Sequence, residues 1–239
     1  MTNRPDNVNE STLNIEATLA EVASQITRFE DQYEREQGSV QLLAVSKKKP
    51  ASAIRTAIAA GQRAFGENYV DEGVEKILDI DDSSLSWHFI GAIQSRKTAQ
   101  IAEHFQWAHG VDRLKVARRL SEQRPSHLPD LNICLQVNLD NEPSKAGISL
   151  AEVAELATHC STLKGIRLRG LMAIPAPRSS LSEQRKVFAL LRTALETLQP
   201  QYPDMDTLSM GMSADIEAAI AEGATIVRVG TAIFGARDS

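Results

Sequence analysis

From residue 40 onward, short apolar runs alternate with stretches whose apolar positions recur at helical spacing. Ahead of them, Leu13, Ile15, Leu19, Val22, Ile26 and Phe29 fall on one helical face, which predicts a helix from Ser11 to about Glu36, stopped at Gly38. Residues 1–10 are polar and are expected to form a flexible N-terminus. The first strand is expected at 40–46. Pro50 then opens a helix that Gly61 stops. Further strands are expected at 63–67, 86–91, 106–111, 131–139, 166–174, 207–213 and 225–230. Helices are expected to about Ile80, from a cap at Asp112 through Gln123, over 150–160, over 181–198, and to Ala221. No helix is assigned between the third and fourth strands.

Eight strands separated by crossovers predict a parallel sheet, and eight is the number that closes a barrel. The expected fold is therefore α/β: a single (β/α)8 TIM barrel over 11–239, with an extra N-terminal helix packed outside. The rival, a doubly wound open sheet, often carries a G-x-G-x-x-G turn after its first strand, and none is present. The length of 239 residues suits one such barrel. With 26 Lys plus Arg against 31 Asp plus Glu, a net charge of −5 argues against nucleic acid as a partner. The two cysteines, Cys134 and Cys160, lack metal-ligand spacing and are too few for a disulfide framework, so a cytoplasmic location is expected. No apolar run approaches the ~18 residues that span a bilayer, and the N-terminus lacks a signal-peptide core. No membrane partner is expected.

Barrel chemistry sits at the C-terminal ends of the strands. The first candidate there is Lys47, within Ser46-Lys47-Lys48-Lys49-Pro50. Side chains alternate along a strand, so Lys47 shares a face with Leu43 and Val45 while Lys48 points the other way. If Leu43 and Val45 fill the barrel, Lys47 is the last inward residue, partly desolvated and suited to imine formation. The alternative is a solvated lysine loop. The second candidate is Ser213, in a Gly-containing turn that leads into a helix, either an anion-binding hydroxyl or a plain helix cap. The third is Val227–Gly235, where Arg228 interrupts an apolar strand and needs a buried partner. Gly230 there permits close approach of a ligand, and Thr231 adds a hydroxyl at a helix start. The loops after strands seven and eight of such barrels commonly bind phosphate. Asn68 ends strand two and is either a ligand contact or a cap. His88 in its apolar strand reads more readily as a satisfied core histidine than as a catalyst. The five histidines show no ligand spacing, so no metal is expected. The polar loop 138–147, with Asn138 and Lys145, reads as surface.

A strand-one lysine with two phosphate loops suggests pyridoxal 5'-phosphate (PLP). Eight stretches extend that hint: LLAVSKKKP, FGENYVDE, WHFIG with QSRK, VDR, SKAGI, RGLMAIPAP, LSMGMSADIEAAIAEGAT and VRVGTAIFGAR. Over roughly residues 40–236 the chain closely resembles the pyridoxal phosphate homeostasis family, single-domain barrels similar to the N-terminal domain of bacterial alanine racemases. The resemblance implies that Lys47 holds PLP as an internal aldimine. It implies that Ser213, Gly230 and Thr231 hold the phosphate, and that Arg228 faces the pyridine nitrogen. Lys48, Ala92 and Arg96 depart from the expected pattern outside these ligand positions. A guanidinium only donates, so the pyridine nitrogen it meets stays unprotonated and the ring is a weak electron sink. Asp238 and Ser239 alone follow the last motif, so the second domain that completes a racemase site, and one dimer interface, are expected to be absent. The expected function is a monomeric PLP carrier and homeostasis protein with no substantial turnover and no catalytic residues, delivering PLP to apo PLP-dependent enzymes. Two alternatives are a PLP-dependent amino-acid racemase, and a phosphate-ester barrel enzyme whose Lys47 attacks a sugar carbonyl. Lys145, at the same mouth, is a candidate transient acceptor during release.

Overall fold

Each strand of the chain is followed by a helix that packs back on the sheet. In a computed structural model, residues 14–142 and 145–236 are described; the expected frayed segment 1–10 lies outside them. The order is α1 (Ile15–Gln32), β1 (Gln41–Val45), α2 (Ala51–Ala59), β2 (Ala64–Glu67), α3 (Val70–Ile80), β3 (Ser86–Phe89), α4 (Thr98–His104) and β4 (Trp107–Val111). Then come α5 (Leu114–Gln123), β5 (Leu131–Val137), α6 (Val153–Cys160), β6 (Ile166–Ala173), α7 (Leu181–Leu198), β7 (Thr207–Ser209), α8 (Ile216–Ala221), β8 (Ile226–Val229) and α9 (Thr231–Phe234). All eight strands pair in parallel and in sequence, and β8 closes on β1 with Leu43 opposite Arg228. The (β/α)8 barrel with an N-terminal helix is thus confirmed.

Two apolar clusters separate on the two faces of the sheet. Leu43, Ala64, Ile90 and Ile226, with Val45 packed against them, form a small cluster inside the barrel. The large cluster, including Ala44, Phe65, Trp87 and Phe89, lies between strands and helices. A bend in β6 shifts its register against β5 after Ile133. Gly170 sits there at φ 158°, and a Cβ would fall 1.8 Å from the Thr207 carbonyl oxygen, so only glycine fits.

Several boundaries differ from expectation. α1 ends at Gln32 rather than near Glu36, because Glu34 already takes a left-handed φ of 51° and breaks the turn before Gly38. Asp112 does not cap α5; Arg113 holds the cap position and pairs with the Asp112 carboxylate at 2.6 Å. β7 and β8 are shorter than their apolar runs, whose ends become the loops of the candidate site. The segment Ser95–Lys97 is a 3-10 turn running into α4, a helix absent from the sequence reading. Seven residues with burial at only Thr98, Ile101 and Ala102 give too short a periodic signal.

α1 and the turn after it brace the last two units. Tyr33 donates its hydroxyl to Glu217 in α8 at 2.9 Å, Arg35 donates to the Ile220 carbonyl, and Thr18 donates to the Ile233 carbonyl in α9 at 2.9 Å.

Candidate functional site

The six candidates stand together because β7, β8, β1 and β2 are neighbours in the closed barrel. Lys47 follows β1, Asn68 follows β2, Ser213 follows β7, and Gly230 and Thr231 follow β8, all at the C-terminal rim. Arg228 lies one layer deeper, inside the barrel opposite Leu43. The alternation places Leu43 and Val45 inside, and Lys47, half-buried, continues that face at the mouth.

Ser46 points the other way, into a buried charged cluster. Its hydroxyl donates to Glu67 Oε1 at 2.6 Å. The Lys76 ammonium donates to the same carboxylate at 2.8 Å, to Glu72 at 2.6 Å and to the Ser46 carbonyl at 2.7 Å. Glu72 also accepts the Lys48 backbone N–H, and Lys48 sits at φ 59° with its ammonium 5.9 Å from the Tyr69 ring centre. Lys49 donates to the Ala236 carbonyl at 2.7 Å. The turn carrying Lys47 is therefore held from below and from both flanks. Burial pushes the Glu67 carboxyl above its ordinary range, against the opposing pull of Lys76 and Ser46.

Arg228 finds oxygen acceptors rather than a carboxylate. One terminal nitrogen donates to the Ser209 carbonyl at 2.6 Å and to its hydroxyl oxygen at 2.8 Å; the other donates to the Ala173 carbonyl at 2.9 Å. Burial lowers its pKa to about 10, with Asp215 the main opposing influence, so it remains a cation at neutral pH. Gly230 packs on β1: a Cβ there would stand 3.1 Å from the Val45 carbonyl oxygen. Ser213 and Thr231 are exposed at the rim. Ser213 is not the cap of α8, since Asp215 holds that position and accepts the Met212 N–H at 2.6 Å. Nor is Asn68 a side-chain cap: its Oδ1 is buried and unpartnered among the described residues, while Tyr69 precedes α3.

His88 is fully buried in the barrel, stacked on Trp107 at 5.2 Å, and is a satisfied core histidine. It lies inside the barrel rather than at the mouth, and burial lowers its pKa to about 3. A hydrogen-bond chain runs from Ser86 through His88, His109 and Ser209 to Arg228. Sequence reading missed His109 and Ser209; their only signal was polar residues at inward parity in apolar strands. The loop after β5 is tied to itself. Asn138 donates to the Glu142 carbonyl at 2.8 Å, and Lys145 pairs with Glu142 at 3.0 Å and Asp140 at 3.4 Å. Those contacts, the Glu142 hydrogen bond first, hold the Lys145 amine above its usual pKa. Asp140 also accepts from Ala176 and Arg178, linking this loop to the one after β6. A cavity of about 360 Å³ opens between the two loops, lined by Gln136, Lys145, Ile174 and Met212 among others. A larger groove of about 790 Å³ lies at the opposite end, beside Asn132 and Arg167, away from the rim. Among the described residues no cluster has a metal's ligand set, and no helix is long and apolar enough to cross a membrane.

The alanine racemase N-terminal domain family matches residues 18–238. The pyridoxal phosphate homeostasis protein of Escherichia coli K12 is 54% identical over 223 residues, covering 92% of this chain and 95% of that protein. Its counterpart in Pseudomonas aeruginosa is 55% identical over 224 residues, covering 94% and 96%. The structure of PipY from Synechococcus elongatus with PLP bound superposes with a TM-score of 0.81 at 41% identity, covering 92% of this chain and all of that one. An alanine racemase of Clostridium difficile shares the fold at a TM-score of 0.75 and 14% identity, and this chain covers 57% of it.

Proposed function

The chain belongs to the pyridoxal phosphate homeostasis proteins, within the alanine racemase N-terminal domain family, and from this premise we propose that it binds PLP and keeps it available in the cytoplasm, with no substantial turnover of its own. The observation that carries the reading is Arg228: a cation inside the barrel, held by three oxygen acceptors with N–H groups to spare, one layer beneath the Lys47 rim. The residues present fit a phosphorylated pyridine aldehyde. Asn68 offers a buried oxygen with no described partner, and Gly230 lies so close against Val45 that a Cβ there would crowd the Val45 carbonyl.

Lys47 would hold the cofactor through its amine, the group this face of β1 carries to the barrel mouth. Ser213, Gly230 and Thr231 take the phosphate, through hydroxyls and backbone N–H groups at the starts of short helices. Arg228 meets the pyridine nitrogen as a donor only, which leaves that nitrogen unprotonated. When bound, PLP supplies an electrophilic aldehyde and a ring whose electron withdrawal this pairing weakens. Racemisation needs acid/base groups on both faces of a substrate. His88 is locked in the core, and the Asn138 amide is occupied by its own loop. The phosphate-ester alternative loses support, since a solved relative is one with PLP bound. For Lys145 to accept the cofactor during release, its pairing with Glu142 and Asp140 must first open.

The test is a titration of the protein with PLP followed by exhaustive dialysis. A visible band that survives dialysis and is bleached by borohydride supports the reading. A protein that stays colourless contradicts it.

A further inference from the structure

The chain of hydrogen bonds through the barrel has one direction, and Arg228 sets it. A guanidinium has five N–H donors and no acceptor. Because the Ser209 hydroxyl oxygen accepts from Arg228, its single proton is free to turn to His109 Nδ1, 2.8 Å away. His109 then carries its proton on Nε2 and donates to His88 Nδ1 at 3.0 Å. His88 in turn carries its proton on Nε2 and donates to Ser86 Oγ at 2.9 Å. The opposite direction would make the Ser209 oxygen accept from Arg228 and His109 together. Its own proton would then lack an acceptor among the described residues, in a fully buried position. Both imidazoles must be neutral for the chain to close. Burial lowers both pKa values, and the Arg228 charge lowers that of His109 further.

We propose that Ser209, His109 and His88 are positioning residues that lock the Arg228 guanidinium in one orientation, so that its two unclaimed N–H groups present to the ring nitrogen of the cofactor. This rests on the PLP reading above. Three donors are fixed by Ser209 and Ala173, and the hydroxyl that fixes one of them is itself held by the histidine pair. Neutral imidazoles brace without adding a competing charge beside the cation.

The test compares PLP with 1-deaza-PLP, in which carbon replaces the ring nitrogen. Equilibrium dialysis measures both ligands on the wild type, Ser209→Ala and His109→Phe. The expected result is about a tenfold loss of PLP affinity in each variant, the scale of one hydrogen bond, with deaza-PLP changed less than about twofold. Equal losses for both ligands, or none, would overturn the positioning role. A wild type that binds neither ligand would instead remove the cofactor reading, and this inference with it. A second measurement covers variants that fail to fold: 15N NMR of the wild-type protein without ligand. Protons on Nε2 of His88 and His109, unchanged from about pH 5 to 8, support the chain; Nδ1 protons or an imidazolium in that range contradict it.

Discussion

At the scale of single residues, the proposed function divides the rim into groups that would hold the ligand and groups that hold the rim itself. Ser213 and Thr231 belong to the first kind. Their replacement together by alanine is expected to weaken PLP far more than pyridoxal, which lacks the phosphate, since each hydrogen bond to a charged group is worth roughly 1.5–3 kcal/mol. Equal weakening, measured by dialysis, would mean that they do not touch the phosphate. Lys76 belongs to the second kind. It is buried and neutralises Glu67, which is fully buried. Lys76→Met leaves that carboxyl with the Ser46 hydroxyl but no counter-charge and is expected to cost about 3–5 kcal/mol at neutral pH. The loss has a pH signature. A carboxyl whose pKa is higher folded than unfolded binds more protons in the folded state, so stability falls as pH rises from the ordinary carboxylate range through the raised value. Burial already raises Glu67, and removing Lys76 removes the main opposing influence. Urea melts should therefore show a larger deficit in Lys76→Met at pH 8 than at pH 5; a deficit independent of pH would contradict this reading of Glu67. The inward parity of Lys47 was legible from three alternating positions. The Ser46–Glu67–Lys76 cluster was not, because it joins two strand ends and a helix that sequence spacing does not bring together.

At the scale of elements, α1 is more than a cover over the barrel wall. Thr18 within it bonds to Ile233, and Tyr33 and Arg35 just past its end bond to Glu217 and Ile220, so together they reach α8 and α9, the short helices that follow the two rim loops. Six and four residues long, these helices have little stability of their own and depend on what packs against them. Thr18→Val with Tyr33→Phe removes two of these bonds while keeping the apolar face of Leu19, Val22, Ile26 and Phe29. The pair is expected to lower stability by about 1–3 kcal/mol and to weaken PLP more than pyridoxal. Unchanged melting, or an equal effect on both ligands, would show that α1 does not brace the phosphate loops. The periodicity of α1 and the full span of α7 were readable because long amphipathic patterns average out single exceptions. α4 was not readable, being too short to show a face, and the end of α1 was set by the left-handed Glu34 rather than by the more conspicuous Gly38.

At the scale of the whole molecule, strict alternation of short strands and helices was enough to read a closed barrel, because the right-handed crossover rule leaves few other arrangements. The barrel in turn points to the C-terminal ends of the strands as the place to look for chemistry. What lay beyond reach was the contact map inside it. His109 and Ser209 are 100 residues apart and meet only because β4 and β7 face across the barrel. Among the described residues, the two histidines of that interior are buried, kept neutral and engaged with each other and with Ser86 and Ser209, and Arg228 is a guanidinium that stays a cation. Incorporation of solvent deuterium at the alpha carbon of alanine or serine is therefore expected to be far slower than about 1 s⁻¹, an ordinary enzymatic rate; exchange at that rate would revive the racemase reading. Whether Lys47 bonds PLP is tested most directly by incubating the protein with PLP, reducing with borohydride, and mapping the peptides by mass spectrometry. One pyridoxyl group, on Lys47, is expected. Label mainly on Lys48 or Lys49, or none at all, would contradict it.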